Sequence, residues 1–162
     1  MPDKADRAAA LDERADSAEA FNAPTLLTEL LNLKQHPNVF FAGQISGVEG
    51  YTESISMGML AGIHVARLAQ GMRAIPPPRE TALGSLVHYI CHAESKSFQP
   101  ANITFDLLPQ LDDATRRKIR DKKLRHKMVC EKALGKLASW LQEISAAGAQ
   151  APRNFYEPSI RD

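Results

Sequence analysis

The sequence predicts a mainly α fold, a helical domain with one or two short strands. Apolar residues recur at helical spacing in two stretches, Leu83 to Cys91 and Ala133 to Ile144. A third stretch, residues 50–71, is rich in apolar and small residues over the length of a long helix. Against these stands one short apolar run, Val39-Phe40-Phe41-Ala42, which reads as a strand leading into a glycine turn. A length of 162 residues, 44% hydrophobic and 24% charged, fits a soluble globular domain with tails.

Residues 1–20 carry three bases against six acids and almost nothing apolar beyond Leu11. With no apolar stripe to bury, they read as an acidic arm. No signal-peptide pattern is present, and no apolar run approaches the ~18 residues that span a bilayer. Cys91 and Cys130 lie far apart, which fits reduced thiols and a cytoplasmic setting.

Residues 24–34 predict a short amphipathic helix. Pro24 sits in its first turn, Leu26, Leu27, Leu30, Leu31 and Leu33 form its apolar side, and His36-Pro37 ends it. After the strand comes Gly43-Gln44-Ile45-Ser46-Gly47-Val48-Glu49-Gly50-Tyr51. Its glycines allow a sharp turn and a close approach. Glu49 and Glu53 sit where the dipole of the next helix favours acids. That helix, residues 50–71, is apolar on most sides and is expected to be buried, with His64 packed inside it.

Pro76-Pro77-Pro78 cannot continue a helix and marks a junction. The expected division is an acidic arm at 1–20, a strand–glycine-loop–helix unit at 21–75, a helical unit at 76–145 and a flexible tail at 146–162. From Glu80 to about Ala93 a helix places Leu83, Leu86, Val87, Ile90 and Cys91 on one face, with His88 and His92 opposite. The histidines are four apart and could share an ion. No His-Glu-x-x-His pattern accompanies them and Cys91 falls on the apolar face, so no metal is expected. Such a polar face also suits RNA.

Residues 95–110 are irregular, with Phe98, Ile103, Phe105, Leu107 and Leu108 as anchors. Lys96, Gln99 and Asn102 lie between them as candidate RNA contacts, together with Phe98 for stacking. The last helix is expected to start at Asp112 or Asp113 and run unbroken to about Ala147, about 50 Å at ~1.5 Å per residue. Residues 115–127 carry eight bases against one acid. Arg116, Arg120, Lys123 and Lys127 would form one row on that helix and Lys118, Lys122 and Arg125 another. So many bases on one helix point to a polyanion partner.

The glycine turn also carries a resemblance. Phe41-Ala42-Gly43-Gln44-Ile45-Ser46-Gly47-Val48-Glu49-Gly50-Tyr51 resembles the flavin-contacting segment near the C-terminus of the folate- and FAD-dependent tRNA (uracil-5-)-methyltransferases, the TrmFO family. Asn22-Ala23-Pro24, Pro78-Arg79-Glu80-Thr81-Ala82-Leu83-Gly84, His88-Tyr89-Ile90, Phe98-Gln99-Pro100-Ala101-Asn102 and Ile119-Arg120-Asp121-Lys122-Lys123 follow the family's order. The likeness runs from about Phe21 to about Leu141. It covers roughly the last third of a family member. Ala101 and Asp106 depart from the family's methionine and glycine, and an acid at 106 opposes phosphate locally.

The resemblance implies a remnant of an FAD-binding α/β fold, with Gly43, Gln44, Gly47, Glu49, Gly50 and Tyr51 as vestigial cofactor contacts. It also implies a chemistry of reduced FAD and methylenetetrahydrofolate acting on a tRNA uridine. No Gly-x-Gly-x-x-Gly occurs in these residues, and Cys91 and Cys130 do not match the family's catalytic positions, so no catalytic residue is assigned and no bound cofactor is expected. The expected function is therefore RNA binding without catalysis, most directly of tRNA. The alternatives are one polypeptide of a split methyltransferase whose FAD half comes in trans, and a structural oligomer. The lone strand and the apolar helix also predict a homodimer.

Overall fold

The computed structural model describes residues 21–146. The expected acidic arm and the tail from 147 onward lie outside the described residues. The elements are α1 (Ala23–Leu26), a 3₁₀ turn (Gln44–Ser46), α2 (Tyr51–Ala69), α3 (Ala82–His92), α4 (Asp113–Lys118) and α5 (Lys122–Ala146). Among the described residues strand pairing is confined to isolated bridges, Leu27 with Leu33, Asn32 with Phe40, and Val48 with Ala101. The mainly helical class therefore holds. The strand expected at Val39–Ala42 reduces to the single bridge at Phe40. Among the described residues no neighbour offers it a ladder, and Val39 stays exposed.

The helix expected over 24–34 stops after one turn. Leu27 is extended and Leu31 takes a left-handed φ of 68°. The amide of Thr28 donates to Asn32 O (2.9 Å) and that of Leu31 to Thr28 O (2.9 Å), so the chain doubles back. Left-handed backbone at a leucine costs about 1–2 kcal/mol. Complete burial of both Leu27 and Leu31 contributes about 1.5–3 kcal/mol each and offsets it. Leucine spacing alone could not show that the core wanted both side chains from a bent chain.

α2 buries Met57, Leu60, Ala61, His64 and Arg67, one stripe at helical spacing. Its other side is open: Tyr51, Ile55, Met59, Val65 and Leu68 are exposed, Ile55 by 74%. Burial on most sides is thus not what the fold provides, because α3 and the loop before the glycine turn cover one face only. His64 is packed as expected. Its Nδ1 lies 2.9 Å from Leu30 O, and burial pushes its pKa down, so the ring stays neutral in the core.

α3 begins at Thr81, whose hydroxyl accepts from the Gly84 amide (2.9 Å) and donates to Pro78 O (2.8 Å). Its apolar face, Leu86, Val87, Ile90 and Cys91, meets Ala23, Leu27, Leu31, Val48, Met57, Leu60 and Trp140 in the core. Cys91 donates its thiol to Thr28 O (3.2 Å), and burial pushes its pKa up to about 12, so it is an inert packing thiol.

The long terminal helix is interrupted. α4 starts at the expected cap, Asp112, which accepts from the Thr115 amide (2.8 Å), but it ends at Ile119. Asp121 then accepts from the Lys123 amide (2.8 Å) and starts α5, while Arg125 donates to Ile119 O (2.8 Å) and Arg120 O (3.2 Å). Two side chains satisfy the freed backbone groups, so the break needs no glycine or proline. The row Arg116, Arg120, Lys123, Lys127 therefore does not lie along one helix.

Candidate nucleic-acid interface

The glycine turn and the segment after α3 build one site. Gly43 and Gly47 both take positive φ, 79° and 87°, around the 3₁₀ turn. Phe98 lies over Gly47 so closely that a Cβ there would sit 2.3 Å from the ring. The Ala101 amide donates to Gly47 O (3.0 Å), and Glu53 accepts from the Ile103 amide (3.3 Å). The expected RNA residues Lys96, Phe98 and Gln99 and the expected cofactor residues Gln44 and Gly47 thus line one cavity of about 600 Å³. Gln44 and Glu49 also share a smaller hollow with Pro100. Gly50 caps α2, Glu53 folds back over it, and Asn102 lies beside it with its side chain otherwise exposed. Tyr51, 87% exposed, projects from the start of α2.

A second hollow, about 360 Å³, lies where residues 105–111 meet α4 and α5. Arg116, Lys122 and Arg125 line it together with Asp106, Phe105 and His126. The Phe105 and His126 rings stack nearly parallel, with centroids 4.0 Å apart and planes 8° apart. Phe105 is 39% exposed, so the pair forms an aromatic step beside cations. From the sequence Phe105 reads only as a core anchor, and His126 does not stand out. No spacing rule joins two residues from different segments.

The basic residues are not equivalent. Arg116 faces Asp113 at 4.0 Å and Lys127 faces Glu131 at 3.8 Å, both exposed pairs of little energetic weight. Arg125 is spent partly on backbone carbonyls. Among the described residues, Lys118, Arg120, Lys122 and Lys123 are exposed and have no carboxylate at ion-pair distance. His88 and His92 are placed elsewhere. They stand beside Glu29, whose carboxylate is 3.0 Å from His92 Nε2.

No helix among the described residues is long and apolar enough to cross a membrane. Comparison with known proteins adds the lineage. The family model described as Glucose inhibited division protein A (GIDA) matches residues 15–73. The methylenetetrahydrofolate–tRNA-(uracil-5-)-methyltransferase TrmFO of Koribacter versatilis is 70% identical over 120 residues, 74% of this chain and 27% of the relative. The TrmFO of Solibacter usitatus is 60% identical over 76% of this chain and 28% of its own length. That of Streptococcus gordonii is 48% identical over 75% and 27%. The chain thus spans about a quarter of the length of these relatives. Over about three quarters of its own length it is TrmFO-like, and it corresponds to a part of that methyltransferase family.

Proposed function

We propose that this chain binds structured RNA, tRNA foremost, and is not itself the catalyst of methyl transfer. The observation that carries the reading is the hollow in which Arg116, Lys122 and Arg125 surround the stacked Phe105–His126 pair. Cations neutralise phosphates and an exposed ring accepts an unstacked base, which are the two contacts single-stranded RNA regions offer. The relatives are named as enzymes acting on tRNA, which favours tRNA among RNAs. The segment Lys96 to Asn102, seated on the glycine turn, would extend the same contact.

The test is salt-dependent binding. Each neutralised phosphate contributes a slope of about −0.7 to −0.9 in log K against log salt. Changing Arg116, Arg120, Lys122 and Lys123 together to Gln should weaken tRNA binding and flatten the slope by about 3, with circular dichroism unchanged. Phe105→Leu should leave the slope intact and reduce the preference for tRNA over unrelated RNA. Parental affinity of the four-fold variant at low salt would refute the assignment.

The open face of α2 is where two readings part: a second copy of this chain covers it, or this chain is one polypeptide of a split methyltransferase whose FAD half, supplied in trans, does. Tyr51, Ile55 and Met59 lie on the helix that directly follows the glycine turn. We favour a second copy of this chain as what covers that face. Light scattering should then give twice 17.8 kDa, and Ile55→Glu with Met59→Glu should return the single mass. A parental mass of 17.8 kDa, together with flavin absorbance gained on mixing with a flavoprotein partner, would favour the split enzyme.

A further inference from the structure

We propose that Glu29, His88 and His92 form a binding site for a divalent transition-metal ion of the zinc class. The one donor atom each residue offers lies within 4.8 Å of the others. His92 Nε2 is 3.0 Å and His88 Nδ1 4.0 Å from the Glu29 carboxylate. A tetrahedral zinc ion with bonds of about 2.0–2.2 Å needs donors roughly 3.3–3.5 Å apart, so small rotations of these half-exposed side chains suffice. Two imidazoles and one carboxylate are a recurrent three-ligand zinc set that leaves a fourth position to water.

The histidine pair alone does not make the site. The third donor comes from a loop 63 residues before His92, and that loop is held on both sides of Glu29. Thr28 O receives the Cys91 thiol from α3, and Leu30 O faces His64 Nδ1 from α2. The Leu30 amide donates to Thr28 Oγ1 (3.1 Å) and the Leu31 amide to Thr28 O (2.9 Å). The left-handed turn at Leu31 that cut the predicted helix short is thus part of what presents Glu29 to α3. On α3, the two rings lie with centroids 4.6 Å apart.

Electrostatics set the strength. Arg79, hydrogen-bonded to Ser85 Oγ (2.7 Å), repels a cation, and Glu29 supplies one negative charge, so binding is expected to be moderate. Cys91 is not a ligand, since its thiol is buried and committed to Thr28 O.

The experiment is a titration of untagged protein carrying Cys130→Ser with cobalt(II) at neutral pH. That variant removes the exposed thiol as a competing ligand. The expected result is visible d–d absorption saturating at one equivalent, without a thiolate charge-transfer band, and displaced by zinc(II). His88→Gln and His92→Gln should each lose the spectrum, and Glu29→Gln should weaken binding, with circular dichroism unchanged in all three. Absence of the d–d bands, a thiolate band, or a spectrum that survives in the His88→Gln/His92→Gln double variant would overturn the site. Parental affinity in Glu29→Gln would overturn the three-donor assignment.

Discussion

Gly84→Ala is expected to destabilise the protein by about 3 kcal/mol, the upper range for overpacking. A Cβ at position 84 would lie 2.0 Å from Pro78 O and 2.6 Å from Pro77 O. Both are backbone atoms of a proline triplet, the stiffest stretch of the chain, so neither can yield as a side chain would. Pro78 O also receives the Thr81 amide (2.9 Å) and hydroxyl (2.8 Å). Pushing it away opens the cap of α3, worth about 1 kcal/mol by itself. Gly62→Ala is the control. It lies on the exposed side of α2 with nothing within 4 Å, and alanine there should stabilise by about 0.5–1 kcal/mol. Urea unfolding followed by circular dichroism gives both values. Equal midpoints for Gly84→Ala and the parent would show that the triplet is not the rigid wall described.

Trp140→Ala is expected to cost about 3–5 kcal/mol. Trp140 is 2% exposed and is the α5 residue in the core cluster. Its indole N–H donates to Ile75 O (3.0 Å), so truncation leaves both a cavity and an unpaired carbonyl. Arg67, itself buried, donates to Ile144 O (2.6 Å), one turn beyond Trp140 on α5, and to Arg73 O (2.9 Å) in the segment after α2. Without the indole, α5 should be held by that arginine and by Leu137 and Ile144, which pack against the core less deeply. Hydrogen exchange should then accelerate along α5 while α3 keeps its protection. Trp140→Phe, which keeps most of the apolar volume and loses the donor, should cost about 1–2 kcal/mol. Loss of protection in α3 equal to that in α5 would show a single cooperative unit instead of a docked helix.

The helices that pack by simple periodicity were legible. α3 runs within two residues of its expected span because its apolar face, its threonine cap and the prolines before it all agree. α2 was legible in extent but not in burial, because a sequence shows which residues are apolar and not how many neighbours arrive. The doubling back at Leu31 and the break after α4 were hidden, because each is held by contacts the local pattern does not contain. In one, Leu27 and Leu31 fill a distant core; in the other, Asp121 and Arg125 supply the hydrogen bonds of a helix end. The candidate interface was half visible for the same reason. The basic residues stand out in composition, whereas the Phe105–His126 stack and the placement of Glu29 beside two histidines exist only once the chain is folded.

The interruption between α4 and α5 leaves the region in internal conflict. A helix beginning at Lys122 has a positive dipole end there, and its first turn holds Lys122 and Lys123 with no acid among its residues. Each such lysine works against the dipole by about 0.3–1 kcal/mol, and Asp121 just outside offsets only part of it. The unbound chain therefore carries a small excess of repulsive energy at this point, a local frustration of the kind natural sequences otherwise avoid. An anion seated there would discharge it, so part of the free energy of association would come from relief of strain already present in the protein.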